Sequence, residues 1–163
     1  ALKAMGVSKV IVVDIMKKRL DKALELGATH VVNGREQDTV EAIMELTDGK
    51  GADLVIEAAG SEITASQAIH FTKKGATIVM VGYSASGKIT LPMGLALDKE
   101  LTFKTVFRYR HIYPMAIEAV SEGRVNLKGI VTDIFPLDDI QNAMDSSVKN
   151  KADIVKSVIK IIP

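Results

Sequence analysis

Apolar residues in this chain fall into short unbroken runs, separated by stretches in which they recur at helical spacing. Residues 10–13 are four consecutive aliphatics, residues 53–60 read DLVIEAAG, and residues 76–81 read ATIVMV. Runs without polar alternation belong to parallel strands covered on both faces. Between them, Leu20, Ala23, Leu24 and Gly27 share one helical face while Lys17, Lys18, Asp21, Lys22 and Glu25 take the other, which predicts an amphipathic crossover helix. Strand and helix alternate, with strands beginning about every 20–25 residues, and that rhythm predicts an α/β fold: a parallel sheet with helices on both faces and right-handed crossovers.

Turn and cap residues sharpen the boundaries. Residues 1–5 read as a last helical turn stopped by Gly6. Thr29 opens a short strand, residues 29–32, and Asp38 caps a helix carrying Val40, Ile43, Met44 and Thr47. Residues 48–51, DGKG, form a turn, residues 62–71 a helix, and residues 73–75, KKG, another turn before the strand at 76–81. After Tyr83 the pattern loosens: residues 84–88 read as loop, and residues 89–97, with Pro92 and Gly94, as irregular. A strand at 101–106 runs into Phe107-Arg108-Tyr109-Arg110-His111. A helix follows from Pro114 with Tyr113, Ala116, Ile117 and Val120 inward, then a strand at 130–135, an amphipathic helix at 137–148 with Ile140, Met144 and Val148 on one face, and a final strand at 156–162.

Length and composition narrow the classes. A chain of 163 residues with 47% hydrophobic content fits one globular domain. A formal charge of +1, from 21 basic and 20 acidic side chains, gives no footprint for nucleic acid or an anionic membrane. No apolar run approaches a membrane span. Without cysteine there is neither a disulfide nor a thiolate metal site, and no export signal opens the chain, so a cytoplasmic setting is expected. His30, His70 and His111 have no ligand spacing between them, no G-x-S-x-G turn supports a hydrolase, and the seven methionines read as core filling.

The chemistry centres on Asp14. An acid at the carboxyl end of a buried parallel strand points where open α/β sheets bind ligands, and it can accept both hydroxyls of an adenosine ribose. A 2′-phosphate there would meet like charge, so Asp14 argues for NAD over NADP. Arg19 could lie over an adenine face or pair with Asp14, its rival roles being a 2′-phosphate contact or a solvated helix charge. Residues 58–60, residues 81–83 and the 107–109 segment end neighbouring strands and are expected on the same carboxyl edge. Arg108 and Tyr109 offer donors suited to a hydroxylated substrate, or simply a basic strand edge.

These stretches resemble the cofactor domain of the zinc-dependent medium-chain alcohol dehydrogenases, and within them the sorbitol (polyol) dehydrogenase group. The resemblance is carried by KAMGVSKVIVVDI at residues 3–15, the Asp14 to Arg19 spacing, LGATHVVN at 26–33, DLVIEAAG at 53–60 and, most specifically, VFRYRHIYPMAIEAVSEGRVNLKGIVT at 106–132. It implies a Rossmann-like doubly wound sheet in which the residues matching Asp14 and Arg19 hold the adenosine ribose. Those matching Val81, Gly82, Tyr83, Val106, Phe107 and Arg108 contact the nicotinamide half, and those matching Arg108 and Tyr109 reach the polyol. The implied reaction is reversible hydride transfer between a secondary alcohol, such as sorbitol or xylitol, and NAD, assisted by an active-site zinc.

Measured against that family, residues 1–163 correspond to the dinucleotide-binding domain alone. The glycine-rich phosphate loop expected about 20 residues before Asp14 would precede residue 1, so the first strand of the sheet, the zinc ligands and the catalytic residues are expected in a longer protein. Two strand edges would then lack partners, with the last strand, about residues 154–162, one candidate to fill the gap or to return toward the catalytic domain. The isolated polypeptide is expected to show no turnover and weak or no NAD affinity. Homodimers or homotetramers are expected, with no nucleic-acid or membrane partner. Alternative readings are a stand-alone nucleotide-binding or regulatory module, an oligomer scaffold, or the same domain of a threonine, butanediol or zinc-free quinone-type dehydrogenase.

Overall fold

The computed structural model describes residues 1–150 and 152–161, and these divide into two compact units. One comprises residues 1–36 and those from His111 onward; the other comprises residues 37–110.

In the first unit, β1 (Ile11–Asp14) pairs in parallel with β2 (His30–Asn33), placing Ile11 opposite His30 and Asp14 opposite Asn33. The crossover is α1 (Lys17–Glu25), whose Leu20 is buried with Val32 of β2. Gly6 and Gly27 take the left-handed conformation predicted for chain stops, with φ of 84° and 97°. Further along the same unit lie α5 (Tyr113–Ser121), β6 (Asp133–Pro136), α6 (Ile140–Lys149) and β7 (Ser157–Lys160), with β6 and β7 parallel.

The second unit is built from α2 (Thr39–Leu46), β3 (Ala52–Glu57), α3 (Glu62–Phe71), β4 (Thr72–Met80), α4 (Met93–Asp98) and β5 (Thr102–Thr105). Its strands are all parallel, in the order β3-β4-β5. Asp38 caps α2 by accepting from the Glu41 amide at 2.9 Å, and Ser61 caps α3 through the Thr64 amide at 3.1 Å. Ile43, Val55, Ala65, Ala68, Ile69 and Ile78 form its core. The end of α3 is closed by a side chain from another element: the Lys99 ammonium donates to the carbonyls of Ile69 and Thr72 at 3.0 and 2.9 Å, and to that of His70. Burial, and after it the charge of Lys74, lowers the Lys99 pKa below 10.5.

Several expectations are corrected. The segment 89–97 contains most of a helix, α4, which follows Pro92 and extends to Asp98, because proline is compatible with a helix start. Strand β4 begins at Thr72 rather than residue 76: Ala52 pairs with Thr72 and Leu54 with Thr77, so the KKG turn is a bulge inside the strand, made possible by Gly75 at φ 72°. Helix α5 buries none of its residues; Tyr113 and Ile117, expected inward, are 59% and 64% exposed. Ile140, Met144 and Val148 share a face of α6 as expected, yet all three are exposed and Ala143 is the buried position. Residues 128–130 are a 3-10 turn and β6 starts at Asp133. Ile162, the expected end of the last strand, lies outside the described residues.

The strands form three parallel ladders, β1-β2, β3-β4-β5 and β6-β7. Among the described residues β1 is bonded only by β2 and β3 only by β4. Among the described residues β7 pairs with β6 and not with β1. The fold class is α/β with parallel, Rossmann-like strands. No helix among the described residues is long and apolar enough to cross a membrane.

Candidate functional site

Asp14 closes β1, and its side chain turns back on the chain that follows. Oδ1 accepts from the amides of Ile15 at 2.7 Å and Met16 at 2.9 Å, just before α1. This uses the unpaired amides at a helix entry to fix a carboxylate. Oδ2 lies 3.5 Å from the Arg19 guanidinium, one turn into α1. Asp14 keeps 25% side-chain exposure and Arg19 42%, so the acid is oriented from within yet open to a ligand. An open cavity of about 460 Å³ in the same unit is lined by Ile15, Met16, Lys17, Asn33 and Arg35 among others, but neither Asp14 nor Arg19 lines it.

The remaining sequence candidates belong to the second unit. Just beyond the end of β4, the amides of Val81 and Gly82 both donate to the Glu57 carbonyl at 2.8 and 2.9 Å. Gly82 passes directly over the turn after β3: a Cβ built on it would stand 2.1 Å from the Gly60 nitrogen and 2.6 Å from both the Gly60 Cα and Glu57 Oε2. A Cβ on Gly60, which has φ 71°, would meet the Tyr83 backbone at 2.6 to 2.7 Å. Only glycines fit this crossing. The Val106 amide donates to the Met80 carbonyl at 3.0 Å, which carries the end of β5 alongside the end of β4. Beyond it the Arg108 guanidinium lies over the Phe107 ring, 5.0 Å from its centre. Arg108 has φ 57°, a left-handed conformation that side chains adopt at a cost. Phe107 and Tyr109 are 70% and 62% exposed.

Val81, Gly82 and Tyr83 are thus brought against residues 58–60, as expected for strand ends on one edge, while Val106 is drawn to the end of β4. Asp14 and Arg19 are brought together in the other unit. Sequence reasoning missed Glu57, which is only 4% exposed. Its Oε1 accepts from the amides of Ala59 and Gly60, both at 3.0 Å, and from the Thr64 hydroxyl at 2.7 Å. The signal was an acid inside an apolar run, followed at once by two alanines, a glycine and a serine-capped helix. Glycines at this crossing let the two backbone segments approach more closely than any side chain would permit. Among the described residues no group of three or more His, Cys, Asp or Glu side chains could hold a metal ion.

Relatives cover the chain nearly end to end. A zinc-type alcohol dehydrogenase-like protein of Escherichia coli K12, YdjJ, is 44% identical over 161 residues, spanning 99% of this chain and 46% of the relative. The sorbitol dehydrogenase of Bacillus subtilis is 34% identical over 159 residues, or 98% and 45% of the two chains. The chain therefore spans about half the length of the curated relatives it matches. Among solved structures, an Escherichia coli oxidoreductase/dehydrogenase of unknown specificity, described as involved in membrane biogenesis, superposes with a TM-score of 0.91 at 42% identity, covering 99% of this chain and 46% of that one. The 2R,3R-butanediol dehydrogenase of Bacillus subtilis gives a TM-score of 0.87 at 30% identity, with 99% and 46% covered. The zinc-binding dehydrogenase family model matches residues 1–122, and with the parallel α/β fold and these relatives it establishes that the chain belongs to the zinc-binding dehydrogenases.

Proposed function

We propose that this chain is the NAD-binding part of an enzyme that oxidises a polyol or other secondary alcohol. The observation that carries the reading is Asp14: a half-open carboxylate at the end of a parallel strand, held by two amides through Oδ1 and facing Arg19 through Oδ2. Asp14 accepts the ribose hydroxyls of NAD and repels a 2′-phosphate, and Arg19 flanks the adenosine. Val81, Gly82 and Tyr83, with Val106, Phe107 and Arg108, take the nicotinamide half; Arg108 and Tyr109 donate hydrogen bonds to the substrate hydroxyls. When bound, NAD supplies the hydride acceptor.

A polyol is the favoured substrate class because the sequence relatives include sorbitol dehydrogenases and a yeast D-xylulose reductase, and because the 106–109 segment pairs a cation and a phenol. The zinc of the reaction is assigned to residues outside this chain, since the described ones offer no ligand set. The enzyme acts as a homodimer or homotetramer in the cytoplasm.

Substrate profiling of the complete gene product with NAD and NADP tests the proposal. NAD-linked oxidation of polyols is expected, and Asp14→Ala should weaken NAD binding about tenfold, the scale of one lost charge-assisted contact. A preference for NADP, or unchanged NAD binding in the variant, would refute the assignment of Asp14.

A further inference from the structure

Glu57 is a carboxyl group taken out of water at the end of β3, and its bonds reach both sides of the glycine crossing. Its main-chain carbonyl receives Val81 and Gly82, while its side chain receives Ala59, Gly60 and Thr64. Oε2 adds a second contact to the Gly60 amide at 3.2 Å and lies where a Cβ on Gly82 would collide with it. The Thr64 hydroxyl is itself set by Ser61, whose Oγ lies 2.7 Å from Thr64 Oγ1. With Thr64 donating to Glu57, Ser61 is left to donate to Thr64, so the hydroxyls form a short directed chain ending on the acid. One residue thereby fixes the β3–α3 turn and the strand end crossing it. Cores seldom bury an acid for packing alone, and each donor left behind by its removal would go unsatisfied.

We propose that Glu57 is a positioning residue for the nicotinamide half of the cofactor, setting the backbone path of residues 81–83 by locking residues 59–60 beneath them. The proposal rests on the NAD reading above. It acts on one half of the ligand: the adenosine contacts assigned to Asp14 and Arg19 belong to the other unit and, among the described residues, share no bond with this network. Loss of Glu57 should therefore weaken NADH binding while leaving AMP, which lacks the nicotinamide half, nearly untouched. General loosening of the fold would weaken both.

The test uses the complete gene product, with NADH and AMP dissociation constants measured for the wild type, Glu57→Met, Glu57→Gln and Thr64→Val. Glu57→Met keeps the side-chain length and removes the acceptors; NADH affinity should fall about tenfold or more, with AMP affinity within about twofold of wild type. Glu57→Gln retains one acceptor oxygen and should recover to within about threefold. Should Glu57→Met fail to fold, Thr64→Val leaves the acid in place, removes one donor to it, and should lower NADH affinity about three- to fivefold with AMP again unaffected. Equal losses for NADH and AMP, or no loss for NADH, would overturn the positioning role while leaving the proposed function standing. Wild-type protein that binds neither ligand would overturn the function, and the positioning role with it.

Discussion

Replacing Gly82 by alanine should be among the most damaging single-methyl additions available to this fold. The added carbon would lie 2.1 Å from the Gly60 nitrogen, and both close backbone atoms belong to the turn after β3, so no side-chain rotation relieves the clash. Ordinary contact requires the two segments to separate by more than about an ångström. Such a shift would carry the Gly82 amide, now 2.9 Å from the Glu57 carbonyl, out of hydrogen-bonding range. Overpacking costs about 1–3 kcal/mol and each buried group left unsatisfied about 1–3 kcal/mol, so a loss of about 3–5 kcal/mol is expected. That is a large fraction of a typical folding free energy. Gly94 provides the internal control: it lies within α4, a Cβ on it meets nothing within 4 Å, and its φ is not positive. Gly94→Ala should stabilise by about 0.5–1 kcal/mol through helix propensity. Urea unfolding of both variants, with NADH titration alongside, reads the contrast. A Gly82→Ala protein within about 1 kcal/mol of wild type and with unchanged NADH affinity would refute the steric argument.

Lys99→Met should destabilise by about 1–3 kcal/mol in urea unfolding, because methionine preserves much of the stem but leaves the end carbonyls of α3 without their donor. The same lysine has a pKa lowered in the fold by burial, so below 10.5 the folded state sheds its proton before the unfolded chain does. Stability from this group consequently rises with pH just below 10.5, and the methionine variant should lack that rise in pH-dependent unfolding. Asp53 is held below its ordinary 3.8 by the hydrogen bond and then the charge of Lys73, so its contribution is present above pH 3.8 and fades as pH falls through the lowered value. Asp53→Asn should flatten the acid limb of the melting curve only below that pH. The 163-residue polypeptide on its own should show no alcohol oxidation and weak or no NAD binding in dialysis; turnover with sorbitol and added zinc would contradict the assignment of catalysis to residues outside it.

Strands buried in a parallel sheet are easily read, because covering both faces leaves no polar alternation; β1, β3 and the second half of β4 follow directly from their aliphatic runs. Gly6, Gly27, Asp38 and residues 62–71 were also legible, each being a local device whose chemistry acts over four residues or fewer. What escaped was non-local. The Gly75 bulge exists only because Ala52 and Leu54 pair on either side of it, and the end of α3 is closed by Lys99 from a segment almost thirty residues further on. Helical spacing correctly grouped Ile140, Met144 and Val148, but it says which residues share a face and not whether anything covers that face. Asp14 was recognisable from its position after an aliphatic run, whereas Glu57 needed a turn that presents three donors to it.

The two amides that hold Asp14 Oδ1 have a consequence for evolution at this position. Glutamate carries the same charge on a stem one methylene longer, and the short reach to the very next amides, 2.7 and 2.9 Å, is tailored to aspartate. A longer acid would surrender this tether and have to be immobilised by whatever group it met, at an entropic penalty that the shorter one meets while the chain folds. Charge conservation here would not amount to functional equivalence.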